Sequence, residues 1–114
     1  MRRFLLAAVT SAFVLPGVGL AQSDYSNKPI TVIVPFAAGG PTDTHSRWGA
    51  QQITAATGQQ VIIDNRGGAG GVVGTEIVAR ATPDGYTLLF GTSAGLSINP
   101  QLQPKLPYNV ERDF

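Results

Sequence analysis

The chain has 114 residues, 43% of them hydrophobic, with eight Lys/Arg against seven Asp/Glu and a formal charge of +1. It contains no cysteine, which excludes a disulfide framework, a lipid-bearing or nucleophilic thiol and thiolate metal ligands within these residues. Without Arg2 and Arg3, six Lys/Arg face seven Asp/Glu, about −1, so the charge points neither to nucleic acid nor to an anionic membrane surface.

Met1-Arg2-Arg3 is a short basic stretch, and Phe4 to Leu15 follows without a charge, the pattern of a secretory signal. Pro16, Gly17 and Gly19 break the apolar run, and Gly19 and Ala21 stand at the spacing a signal peptidase needs. Residues 1–21 are therefore expected to be a signal peptide cleaved near Ala21, which sends residues 22–114 to the periplasm. The competing reading, an uncleaved anchor, needs about 20 predominantly apolar residues, and Thr10, Ser11 and Pro16 interrupt this segment. The remaining 93 residues make one small domain and not two.

The β-branched run Ile30 to Val34 predicts a strand buried on both faces. Pro35 cannot donate to a ladder, and Phe36-Ala37-Ala38-Gly39-Gly40-Pro41 is a breaker cluster, so a loop follows. Thr42 or Asp43 is expected to cap a helix over Thr44 to Thr57, with Trp48, Ile53 and Ala56 at helical spacing, Trp48 in the core, and Gly58 as the stop. Val61-Ile62-Ile63-Asp64 predicts a second strand. Asn65 to Gly71 is a glycine-rich loop, and Val72 to Ala81 a second helix carrying Val73, Ile77 and Val78 on one face. Pro83-Asp84-Gly85 is turn chemistry, Tyr86 to Phe90 a third strand, and Gly91 to Gly95 a small-residue loop. Pro100, Pro104 and Pro107 leave the remainder mostly irregular.

Strand, helix, strand, helix, strand with short connections predicts parallel pairing and right-handed crossovers, an α/β class with a doubly wound, mostly parallel sheet. With the first strand between the other two, a crevice opens at the carboxyl ends of strands one and three. That selects Phe36, Ala37, Ala38, Gly39, Gly40, Thr42 and Asp43, with Thr92, Ser93 and Ala94, as candidate ligand-binding residues, the Asn65 to Gly71 loop lying alongside. Phe36 to Gly40 and Thr92 to Gly95 carry no Lys or Arg. Recognition there falls to backbone N–H groups at a helix N-terminus and to the hydroxyls of Thr92 and Ser93, which suits an organic acid.

Two motifs invite sharper readings. Gly67-Gly68-Ala69-Gly70-Gly71 follows a strand and opens a helix, yet a dinucleotide fingerprint starting at Gly68 requires glycine where Val73 stands, and there is no P-loop Gly-Lys-Ser/Thr. Gly91-Thr92-Ser93-Ala94-Gly95 fits a nucleophile elbow, but the one histidine, His45, precedes Ser93, whereas that fold supplies its acid and histidine afterwards. A serine hydrolase using Ser93 is therefore the weaker alternative. His45 has no companions at metal-ligand spacing, so no metal and no cofactor is expected.

Lys28-Pro29-Ile30 into Val34-Pro35-Phe36, Gly39-Gly40-Pro41-Thr42-Asp43, Asn65-Arg66 with Gly68-Ala69-Gly70-Gly71, Gly74-Thr75-Glu76, Pro83-Asp84-Gly85-Tyr86-Thr87, Ile98-Asn99-Pro100 and Lys105-Leu106-Pro107-Tyr108 together resemble the Bug (TctC-like) receptors of tripartite tricarboxylate transporters. The resemblance implies a two-domain, Venus-flytrap periplasmic-binding-protein fold, of which residues 22–114 are a truncated first part, a partial N-terminal lobe. It implies a monomeric, non-enzymatic solute receptor that grips a small carboxylate through main-chain groups of the loop Pro35 to Asp43, aided by Thr92 to Ala94, and delivers it to membrane permease subunits. Three departures stand out: His45-Ser46 where the family has an apolar and a small residue, Gly67 in place of a proline, and a family sequence that continues past Phe114. The last keeps open a second expectation, a truncated and non-functional product.

Overall fold

The computed structural model of the chain describes residues 28–114. The expected signal peptide, residues 1–21, lies outside the described residues. Three strands form one parallel sheet in the order β2-β1-β3. β1 is Ile30–Val34, β2 is Val61–Asn65 and β3 is Thr87–Leu89. β1 is central, as its β-branched composition requires: Ile30, Val32, Ile33 and Val34 are buried, while the flanking strands keep Ile62 and Leu88 exposed. Ile30 pairs with Val61 and Val34 with Asn65 on one side, and Thr31 with Thr87 and Ile33 with Leu89 on the other.

The ladder runs a little beyond the formal ends of β3, because the Thr31 N–H donates to the Tyr86 carbonyl at 2.8 Å and the Phe90 N–H to the Ile33 carbonyl at 2.9 Å. Those two bonds span the stretch Tyr86 to Phe90 expected from the sequence. β2 gains Asn65, after which the Arg66 N–H donates to the Val34 carbonyl at 2.7 Å.

Helix α1, Pro41–Thr57, packs on β2 and β1, and helix α2, Val72–Ala79, on β1 and β3. The chain steps from β1 to β2 in one direction and from β2 to β3 in the other, so right-handed crossovers place the two helices on opposite faces. α1 begins three residues before the expected Thr44. Pro41 takes the first helical position, where its fixed φ fits and its missing N–H costs nothing, and Gly40 is the cap in place of Thr42 or Asp43. Gly58 ends α1 in the left-handed region at φ 71°, its N–H donating to the Thr54 carbonyl at 2.9 Å. α2 ends at Ala79 and not Ala81.

Two core expectations are corrected. Trp48 is 65% exposed on α1, because the face turned to the sheet is that of Asp43, Ser46 and Ala50. On α2 the apolar Val73 and Ile77 are 41% and 37% exposed, and the buried positions are Val72, Gly74 and Thr75. Small size decides that choice. A Cβ at Gly74 would lie 2.7 Å from the Pro35 Cα, so α2 reaches the end of β1 only by presenting a residue without a side chain.

Beyond β3 the chain is more ordered than its prolines suggest. Ala94–Ile98 forms a π-helical turn leading into α3, Asn99–Leu102, and Val110–Asp113 forms α4. Pro100 sits in the first turn of α3, where a helix tolerates proline. Asn109 caps α4: its side chain accepts from the Arg112 N–H at 2.9 Å, while the Asp113 carboxylate accepts from the Asn109 N–H at 2.8 Å. Tyr108 is buried, and its hydroxyl donates to the Gly95 carbonyl at 2.7 Å, tying this segment back to the turn after β3.

Candidate functional site

β1 and β3 are adjacent and parallel, so the loops that leave their carboxyl ends emerge at the same edge of the sheet. The β1–α1 loop starts at Pro35, which is fully buried, and then turns outward: Phe36 is half-buried and Ala37, Ala38 and Gly39 are exposed. Gly39 adopts φ 85°, a conformation that L side chains resist, and this lets the chain fold back into α1. Residues Phe36–Thr42 line an open hollow of about 480 Å³. Six of the seven candidate residues of this loop, Phe36, Ala37, Ala38, Gly39, Gly40 and Thr42, are on its wall, and the seventh, Asp43, is not.

The first helical bond of α1 runs from the Thr44 N–H to the Gly40 carbonyl at 3.0 Å. The N–H groups of Thr42 and Asp43 therefore precede the ladder and have no partner within the helix. At the start of a 17-residue helix they stand at its positive end, the arrangement that holds an anionic oxygen without a cationic side chain.

Asp43 serves the loop from below. It is 4% exposed, and its carboxylate accepts three hydrogen bonds: one oxygen accepts from the Gly39 N–H at 2.8 Å and from Arg47 Nε at 3.0 Å, the other from Asn65 Nδ2 at 3.0 Å. Asn65 Nδ2 also donates to the Phe36 carbonyl at 3.2 Å, and Arg47 Nη2 donates to Asn65 Oδ1 at 3.2 Å. Bonds from Arg47 first, then from the Gly39 amide and Asn65, hold the Asp43 carboxyl at about 2, well below the usual 3.8. Asp43 is thus the anchor that fixes both ends of the loop.

The second loop is separate in detail though neighbouring in topology. Thr92, Ser93 and Ala94 form no part of the hollow's wall. The Thr92 carbonyl accepts from the Leu96 N–H at 3.0 Å and its hydroxyl from the Gly95 N–H at 3.4 Å, which winds the chain directly into the π-helical turn. Gly95 lies against Thr75, whose hydroxyl bonds the Gly71 carbonyl at 2.8 Å, and Asn99 Nδ2 donates to the Gly70 carbonyl at 3.0 Å. The glycine-rich loop is held alongside as expected, with Gly67 packed so closely that a Cβ there would be 3.3 Å from the Ala37 nitrogen.

Ser93 is exposed, and no histidine faces it: His45 is on α1, its Nδ1 2.7 Å from the Pro41 carbonyl oxygen. Among the described residues no group of three or more His, Asp or Glu side chains is placed to hold a metal ion. Two contributors, Arg47 and Asn65, were not among the candidate ligand-binding residues, although Asn65 opens the loop expected alongside. Arg47 was signalled by its spacing four residues after Asp43, a helical ion-pair pattern. Asn65 gave no local signal, because its position beneath the loop follows from pairing with Val34.

A family model for the tripartite tricarboxylate transporter family receptor matches residues 46–114. A UPF0065 protein of Agrobacterium vitis is 44% identical over 114 residues, covering 100% of this chain and 33% of its own length. BugT of Bordetella pertussis is 40% identical over 113 residues, covering 96% of this chain and 35% of its own length. Among solved structures, one described as a periplasmic transporter is 46% identical with a TM-score of 0.73, over 75% of this chain and 29% of its own. MatC from Rhodopseudomonas palustris with bound malate is 42% identical with a TM-score of 0.72, over 77% and 30%. The chain spans about a third of the length of the curated relatives it matches. The fold is that of part of a periplasmic binding protein, and the chain belongs to the tripartite tricarboxylate transporter receptor family.

Proposed function

We propose that residues 22–114 are a partial N-terminal lobe of an exported, periplasmic solute receptor that binds a small carboxylate and hands it to the permease subunits of a tripartite transporter. Residues 1–21 are its signal peptide, and the receptor acts without catalysis. The observation that carries this reading is the loop Phe36–Thr42, an open hollow at the positive end of α1 whose polar offer is main-chain N–H groups. Family membership and the malate-bound relative support the same class of ligand. Thr92, Ser93 and Ala94 add donors from the same edge of the sheet, and Asp43 acts by holding the loop.

Thermal unfolding of the Gln22–Phe114 chain, alone and with malate and other four- to six-carbon dicarboxylates, tests it. A ligand at ten times its Kd adds about 1.4 kcal/mol, which for a domain of this size raises Tm by about 5–10 °C. A cooperative transition that rises with one of these acids is the expected result. No shift with any of them overturns the receptor reading, and turnover of an activated ester that disappears in Ser93→Ala replaces it with hydrolysis.

A further inference from the structure

The carboxylate site has an electrostatic conflict built into it. The loop proposed to hold an anion is fastened by another anion, since the buried Asp43 carboxylate lies one hydrogen bond, 2.8 Å, below the Gly39 N–H. An uncompensated negative charge there opposes a ligand carboxylate at the same loop and offsets the positive potential that the helix N-terminus offers it. The loops Phe36 to Gly40 and Thr92 to Gly95 contain no Lys or Arg to offset it.

Arg47 meets Asp43 from the next turn of α1. Its Nε donates to the same oxygen that serves Gly39, and its Nη2 reaches Asn65 Oδ1, which turns the Asn65 amide nitrogen toward the other Asp43 oxygen and the Phe36 carbonyl. One guanidinium therefore cancels the charge and orients the amide, a double task that the single ammonium of lysine performs only in its first half. Among the described residues the groups facing Asp43 are Gly39 from the loop, Arg47 from α1 and Asn65 from β2, and of these Arg47 is the cation.

We propose that Arg47 is a specificity-determining positioning residue: by neutralising Asp43 and locking Asn65 beneath Phe36–Thr42, it makes that loop receptive to anions. This rests on the receptor reading given above.

The test compares Arg47→Gln, Arg47→Lys, Asp43→Asn and the double variant Asp43→Asn/Arg47→Gln, with malate binding followed by amide shifts in NMR. Arg47→Gln is expected to weaken malate about tenfold, and the double variant to recover most of that loss because the opposing charge is gone. Arg47→Lys is expected to lie between wild type and Arg47→Gln. Unchanged affinity in Arg47→Gln overturns the proposal, and so does a double variant as weak as Arg47→Gln, which marks a purely structural role.

The Gly39 amide shift, followed from pH 5 to pH 1, provides a readout independent of ligand. It is expected to titrate with a midpoint near 2 in the wild type and at higher pH in Arg47→Gln, or in Arg47→Lys should the glutamine variant fail to fold. The same midpoint in the wild type and in the Arg47 variants that keep Asp43 overturns the proposal. Failure of the receptor reading is distinct: no dicarboxylate shifts any amide of the wild type, while the Gly39 titration still responds to Arg47.

Discussion

Gly74→Ala probes the closest contact between α2 and the strand that launches the site loop. The added Cβ would stand 2.7 Å from the Pro35 Cα, 2.8 Å from the Pro35 Cβ and 2.8 Å from the Arg66 carbonyl oxygen. Carbon atoms settle at about 3.5–4.0 Å, so either α2 or the backbone at Pro35 must retreat by about 0.8 Å or more. Two of the three obstacles are main-chain atoms and cannot rotate away. Overpacking of this kind costs about 1–3 kcal/mol or more, and alanine returns roughly 1 kcal/mol through its helix propensity. The net expectation is a loss of about 1–2 kcal/mol, read in urea denaturation as a midpoint lower by roughly 1–2 M for a slope near 1 kcal/mol/M. Gly49→Ala is the internal control. Gly49 is also helical, nothing lies within 4 Å of its added Cβ, and the same change there is expected to stabilise by about 0.5–1 kcal/mol. A Gly74→Ala chain as stable as wild type, or one that gains as much as Gly49→Ala, refutes the claim that α2 is seated on Pro35 by the absence of a side chain.

Tyr108→Phe removes the bond to the Gly95 carbonyl at 2.7 Å from a buried pair, and a loss of about 1–2 kcal/mol in the same denaturation assay is expected, with the π-helical turn after Ser93 loosened. Acid reports on the anchor: Asp43 ionises at about 2 when folded and at about 3.8 when free, so its folded value is depressed and its stabilisation is complete above roughly pH 4 and lost as pH falls to about 2. The stability difference between wild type and Asp43→Asn is therefore expected to be constant above pH 5 and to shrink to nothing near pH 1; a difference that persists there contradicts an ionised Asp43 as the source.

The topology was legible because its signals are local. Ile30 to Val34 is β-branched throughout, Gly58 marks the end of α1, and two short crossovers imply parallel pairing; the order β2-β1-β3 entered the sequence reading only as the condition under which a crevice opens, and the structure has it. The loop Phe36–Thr42 was legible for the same reason, being the breaker cluster after the central strand. What the sequence concealed depends on distance between backbones. Trp48 reads as core by its type, yet the α1 face that meets the sheet carries Ser46 and Ala50, whose small side chains bring the helix near. Val73 and Ile77 form the apolar stripe of α2, yet Gly74 and Thr75 are what the sheet edge accommodates. Asp43 was visible as a cap and proved to be the third helical residue, reaching back to Gly39, because Pro41 moves the helix start forward. Its partner Asn65 became apparent only through the pairing of β1 with β2.

Main-chain donors at the carboxyl edge of β1 and β3 are proposed to hold a carboxylate. The direct measurement is a malate titration of the isotope-labelled chain with amide shifts assigned residue by residue. The largest saturable changes are expected at Ala38, Gly39, Gly40 and Thr42, with smaller ones at Thr92, Ser93 and Ala94, and with succinate monomethyl ester weaker than succinate. Shifts confined to other surfaces, or equal shifts from a neutral diamide of the same length, would contradict it.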